Sequence, residues 1–182
     1  IEKYRHSPGG RTNTSRDKLV QIASASLRAY LDGPDTTAVR RQLVVDYLNT
    51  VPLSARRGYG EVLGLGDGLW AWFGRDFAEV NALLEDAAAP AGTRALAYKQ
   101  VLALMIAQRR PSGYLAGDLA ALQELTDTYL RLLARDGIIS EALRDAALPL
   151  ALDQLDAVPP APPASFVARK AANTGRRVLA SA

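Results

Sequence analysis

Ser15-Arg16-Asp17-Lys18-Leu19-Val20-Gln21-Ile22-Ala23-Ser24-Ala25-Ser26-Leu27-Arg28-Ala29-Tyr30-Leu31 is the stretch on which the fold class turns. Leu19, Ile22, Ala23, Leu27, Tyr30 and Leu31 recur at steps of three and four, the spacing that gathers side chains on one face of an α-helix. Thr12-Asn13-Thr14-Ser15 offers several N-caps, and Asp32-Gly33-Pro34 supplies the stop, so a helix is expected over 15–31. Residues 1–14 read as an irregular lead-in, because Ser7-Pro8-Gly9-Gly10 is turn chemistry.

The same reading extends outward. A second helix is expected over 37–49, capped by Asp35 or Thr36, with Val39, Leu43, Val44, Tyr47 and Leu48 as its apolar face and Pro52 beyond its end. Gly58, Gly60, Gly64, Gly66 and Gly68 break up residues 52–68, which read as a loop with short helical turns whose backbone amides are free to face a ligand. Trp70, Trp72 and Phe73 follow; such a cluster reads first as a core plug and second as a sugar platform. Further helices are expected over 76–87, 92–109, 117–135 and 140–154, with a turn at Arg109–Tyr114. Pro159, Pro160, Pro162 and Pro163 predict an extended linker over 157–164, and 165–182 reads as a basic segment that docks as a helix or is the frayed start of a next domain. Leu and Ala dominate a chain that is 48% apolar and 7% aromatic, a composition that favours helices. The expected class is all-α, six to seven helices with no substantial sheet, and one domain over 1–156.

Composition also limits the chemistry. With no cysteine, disulfides, thiolate metal sites and cysteine nucleophiles are excluded, and His6 alone cannot build a multi-histidine site. Carboxylates, amides and cations must carry any chemistry. Residues 1–57 hold ten Lys/Arg against five Asp/Glu, 58–164 hold eight against fourteen, and 165–182 hold four against none. A basic first segment suits anionic ligands, and it equally suits a solvated surface. No apolar run is long enough for a membrane span, and the start at Ile1 reads as an excerpt or a processed product.

Ile1-Glu2-Lys3-Tyr4, Arg11-Thr12, Asp17-Lys18-Leu19-Val20-Gln21, Tyr47-Leu48-Asn49 and Pro111-Ser112-Gly113-Tyr114, taken in order, resemble motifs of glycosyltransferase family 51, the peptidoglycan glycosyltransferase or transglycosylase domain of penicillin-binding proteins, over roughly residues 1–150. Ile1-Glu2-Lys3-Tyr4 looks like the end of the family's Gly-Ser-Thr-Ile-Thr-Gln-Gln segment and its Leu-x-Lys-Asn continuation, and Arg11-Thr12 stands where the family has Arg-Ser or Arg-Thr. Asp17-Lys18-Leu19-Val20-Gln21 is similar to Arg-Lys-x-Lys-Glu, with Gln21 replacing the glutamate. Val45-Asp46-Tyr47-Leu48-Asn49 is similar to Glu-x-Tyr-Leu-Asn, with Val45 replacing the glutamate; Asp46, about 100° further round a helix, should not substitute for it. Gly58-Tyr59-Gly60 through Ala71-Trp72-Phe73-Gly74, then Pro111-Ser112-Gly113-Tyr114, then Gly137-Ile138-Ile139-Ser140 continue the order, while the family's Arg-Arg pair falls on Leu125-Thr126.

The resemblance implies a lysozyme-like helical lobe that polymerises glycan strands from a lipid-linked disaccharide at the cell envelope, on the periplasmic or extracytoplasmic face of the inner membrane. It implies Lys3 and Arg11 against the donor's pyrophosphate, Lys18 and Gln21 beside them, and Tyr47 with Asn49 holding the helix that frames the cleft. The implied partners are the lipid-linked disaccharide pyrophosphate and the nascent glycan, with the membrane close by and no nucleic acid. A divalent cation such as magnesium accompanies the pyrophosphate in this picture. The family's catalytic glutamate is expected ahead of Ile1, so no catalytic residue is assigned within the chain. The alternatives are a degenerate module that binds precursor or glycan without polymerising it, and a helical domain for protein contacts.

Overall fold

Thr14 has extended backbone geometry and opens the first helix by a reciprocal exchange. Its hydroxyl oxygen accepts the Asp17 amide at 3.0 Å, and the Asp17 carboxylate accepts the Thr14 amide at 3.0 Å and that of Asn13 at 3.2 Å. The helix this starts, α1, runs Ser15–Arg28, and residues 29–31 leave it as a turn in which Tyr30 N–H reaches Leu27 O at 2.9 Å. The computed structural model describes residues 12–31 and 33–156, together with positions 171, 172, 174, 175 and 179. The expected lead-in up to residue 11, the proline-rich linker and most of the basic tail lie outside the described residues.

The Thr14 side chain, first, and the Asn13 amide hold the Asp17 carboxyl below the ordinary carboxylate range. A depressed folded-state pKa contributes stability that is present above the unfolded value, about 3.9, and is lost as pH falls through the folded value. The start of α1 is therefore expected to fray in acid, below the pH at which ordinary aspartates titrate. The Asn13 and Thr14 amide NMR signals, followed through an acid titration, check this.

The chain divides into two compact units, Ile1–Thr50 with Ala164–Ala182, and Val51–Pro163. The first unit holds α1 and α2 (Thr37–Thr50), whose start is capped by the Asp35 carboxylate accepting Thr37 N–H at 2.9 Å. α1 is turned opposite to the usual arrangement for an amphipathic helix. Its buried residue is Gln21, and Leu19 and Leu27 are each 67% exposed.

The second unit begins where a loop was expected. Residues 52–63 instead form an antiparallel hairpin, β1 (Pro52–Arg56) and β2 (Gly60–Leu63), with Ala55 opposite Glu61 and Arg56 opposite Gly60. The glycines shape the hairpin: Gly58 and Gly60 adopt φ of +78° and +100° at the turn, which is closed by Tyr59 N–H to Arg56 O at 3.0 Å. The Gly64 amide bonds Val51 O at 2.8 Å, so the amides of Tyr59 and Gly64 are engaged within the fold. Ser54, at φ +71°, sits where the register slips between Pro52 and Ala55, a bulge that bends β1.

A short helix, α3 (Gly64–Gly68), runs directly into a π-helical turn (Leu69–Phe73) that Gly74 closes at φ +65°. Then come α4 (Phe77–Glu85), α5 (Ala91–Ala107), α6 (Pro111–Leu115), α7 (Leu119–Arg135) and α8 (Glu141–Ala147). With eight helices and a single two-stranded sheet among the described residues, the fold is all-α. The count exceeds expectation because α3 and α6 are one-turn pieces, α6 beginning on a proline at its first position, where no N–H is needed. The last helix is shorter than the expected 140–154. Pro149 lacks the N–H that a further turn requires and restricts Leu148, and the chain beyond turns and runs on without regular structure to residue 156, with Leu152 N–H given to the Gln123 side chain at 2.9 Å.

α5 is the axis of this unit, packed against α4, α7 and α8. Its buried stripe is Ala95, Lys99, Ala103 and Ala107, four apart, and Ala95 joins Leu130 and Ala147 in a core flanked by Tyr98, Leu102 and Leu143. Small residues allow close approach, and one long cation crosses between the helices. At 0% exposure, Lys99 Nζ meets Asp127 Oδ1 at 2.7 Å and the carbonyls of Ala147, Leu148 and Leu150 at 3.2, 3.3 and 2.6 Å. It thereby caps the carbonyl end of α8, a favourable place for a cation.

Candidate functional site

The expected pyrophosphate residues belong to the first unit. Lys3 and Arg11 lie outside the described residues. Lys18 stands on the second turn of α1 with its side chain exposed, and Gln21, three residues on, is 7% exposed. Gln21 Oε1 accepts the Thr12 hydroxyl at 3.1 Å. The residue that follows Arg11 in the Arg-Thr pair is thus tied to the face of α1 that carries the Lys-x-x-Gln remnant.

Tyr47 and Asn49 occupy the last turn of α2, Tyr47 44% exposed and Asn49 exposed. Val45 also faces outward, whereas Asp46 is half-buried, accepts the Gln42 amide at 2.8 Å and lines a cavity of about 420 Å³ between the end of α1 and α2. Arg28, Val39 and Leu43 share that lining, while Lys18, Gln21, Tyr47 and Asn49 do not. Asp46 and Arg28 are thus polar groups at a concavity that motif matching passed over. Helical phase identifies them: Arg28 is one turn beyond Ser24 on the inward side of α1, and Asp46 follows Val39 and Leu43 along one face of α2.

In the second unit, the aromatic stretch is largely interior. Trp72 and Phe73 are buried, and Trp72 Nε1 donates to Leu53 O at 3.1 Å. Arg56 stacks on the Trp72 ring at 5.5 Å and donates to the carbonyls of Ala71 and Leu155. Burial lowers the Arg56 pKa, which leaves a guanidinium charged at any ordinary pH. Leu125-Thr126, where the family's Arg-Arg pair falls, lies on α7, with Thr126 fully buried and its hydroxyl on Leu122 O at 2.7 Å. No cation stands at either position.

Among the described residues no group of three carboxylate or imidazole side chains is placed to hold a metal ion, so these residues offer the implied magnesium no protein cage. Among them, too, no helix is long and apolar enough to cross a membrane. Set against models of known protein families, curated proteins and solved structures, the chain matches none.

Proposed function

We propose that the chain forms the donor-pyrophosphate side of a peptidoglycan glycosyltransferase domain, in which a lipid-linked disaccharide is added to a growing glycan. In that reaction a base takes the acceptor hydroxyl's proton, the oxygen attacks the donor's anomeric carbon, and the lipid pyrophosphate departs. The chain's own contribution is charge. Lys3 and Arg11 face the leaving diphosphate, where cations act most as negative charge builds in the transition state, and a guanidinium binds phosphate oxygens two at a time. Lys18 adds a third positive group on α1.

The observation that carries this reading is the Thr12–Gln21 hydrogen bond, which ties the residue after Arg11 to the Gln21 side of α1. A second reading, a module that binds precursor or glycan without polymerising it, draws support from the same contact. The side chain Thr12 holds is an amide that cannot transfer a proton as a carboxylic acid does, and Val45 stands in place of the other family glutamate.

Both readings predict that undecaprenyl-pyrophosphate disaccharide binds the protein, and that Lys3→Ala combined with Arg11→Ala weakens binding at least tenfold. Titration calorimetry in detergent measures it, and unchanged affinity removes the donor-site assignment. Because the catalytic glutamate is expected ahead of Ile1, both readings predict no turnover by residues 1–182 alone; turnover of the same lipid by a protein that also carries that glutamate separates them.

A further inference from the structure

The second unit holds a cleft of about 590 Å³ between the end of α4, the start of α5 and the loop leading into α8. Leu84, Ile139 and Leu143 contribute its larger walls, and alanines from three segments fill in between. Ile138 stands at the rim, 68% exposed.

The polar groups inside are all of one kind. Arg94 is the one charged side chain in the lining, no carboxylate shares the cleft, and Arg94 enters none of the ion pairs among the described residues. Tyr98 brings a phenol, which burial keeps protonated to higher pH than usual, so it remains a donor. The Ser140 oxygen accepts Leu143 N–H at 3.2 Å, which leaves its hydrogen free to donate. Arg94 is half-buried with no carboxylate beside it in the lining, so an anion entering the cleft meets a cation without a competing partner. Apolar walls of this extent reward hydrocarbon, and the volume falls in the range of small-molecule sites, roughly 300–1,000 Å³.

We propose that this cleft binds an anionic single-chain amphiphile, its carboxylate or phosphate on Arg94 with Tyr98 and Ser140 donating, and its unbranched hydrocarbon along Leu84, Ile139 and Leu143. An inorganic anion alone leaves the apolar walls wet. A neutral hydrocarbon leaves Arg94 without a counter-charge. The inference stands apart from the glycosyltransferase reading, because the cleft lies within residues 51–163 and the pyrophosphate residues within 1–50.

The test is calorimetric titration of the full chain with dodecanoate, dodecyl phosphate, dodecanol and inorganic phosphate, each below micelle-forming concentration. At least one of the two anionic amphiphiles is expected to bind at one site per chain, with dodecanol and inorganic phosphate at least tenfold weaker; the stronger of the two anions identifies the headgroup. Arg94→Gln is expected to weaken the anion at least tenfold. Ala142→Trp, at an exposed position of the lining, is expected to block the tail without moving the thermal transition. Dodecanol binding as tightly as the anions, full affinity in either variant, or no saturable binding by any amphiphile overturns the proposal.

Discussion

Replacing Lys99 with methionine is expected to destabilise the 51–163 unit by about 3–5 kcal/mol, the range for removing one partner of a buried ion pair. Methionine matches the length of the stem and fits among Ala95, Leu102 and Ala103, so packing is nearly kept and the loss is electrostatic. Asp127 is left largely buried without its cation, and the carbonyls of Ala147, Leu148 and Leu150 lose their shared donor. A second substitution separates these two parts. Adding Asp127→Leu removes the stranded carboxylate and should recover a portion of the loss, while the three carbonyls, still without a donor, keep the double variant below the parent. Urea unfolding of the parent, both single variants and the double variant measures each step. A Lys99→Met protein as stable as the parent would show that α8 is held by packing alone.

Trp72→Ala is expected to cost about 3–5 kcal/mol, the range for truncating a large buried aromatic. The ring closes the space between the hairpin and the helices, holds Leu53 O through Nε1, and provides the surface on which Arg56 lies. Its removal leaves a cavity and an unpaired carbonyl on β1 and withdraws the support of the guanidinium. Trp72→Phe keeps most of the ring and loses the indole N–H, so a loss of about 1–2 kcal/mol is expected from the missing bond and the smaller side chain. Thermal unfolding by circular dichroism ranks the three proteins, and near-equal stability of parent and Trp72→Ala would contradict a packing role.

The helices were legible because their signals are local. Apolar recurrence and capping residues placed α1, α2, α4, α5 and α7 within a few residues of their observed ends, as at Thr14–Asp17 and Asp35. What escaped depends on groups distant in the chain. Five glycines over 52–68 read as a broken loop, yet Gly58 and Gly60 supply the positive φ a tight hairpin needs, and Gly68 lets β1 and α5 close in: a methyl there would stand 2.6 Å from Leu53 Cδ1 and 3.1 Å from Leu104 Cδ1. Periodicity found the apolar side of α1 but gave no indication that it faces outward, since orientation is decided by what packs behind a helix. Lys99 was detectable in principle, as a lone cation on the four-residue stripe of Ala95, Ala103 and Ala107, but its partners lie 28 and about 50 positions away. At the candidate site, Lys18, Gln21, Tyr47 and Asn49 came from motif order, whereas Asp46 and Arg28 became visible through the cavity they line.

The stretch after α8 makes Leu155 a fastening point. Its amide reaches Trp72 O at 3.2 Å, its carbonyl takes Arg56, and its side chain lies over Gly74, where an added methyl would come within 2.5 Å of Leu155 Cδ1. The hairpin, the π-helical turn and the outgoing chain are therefore knotted together by one leucine, eight positions beyond the end of α8. Anyone trimming this protein from its far end has room to cut only after that leucine; a cut before it unties the aromatic turn although every helix of the unit is still intact.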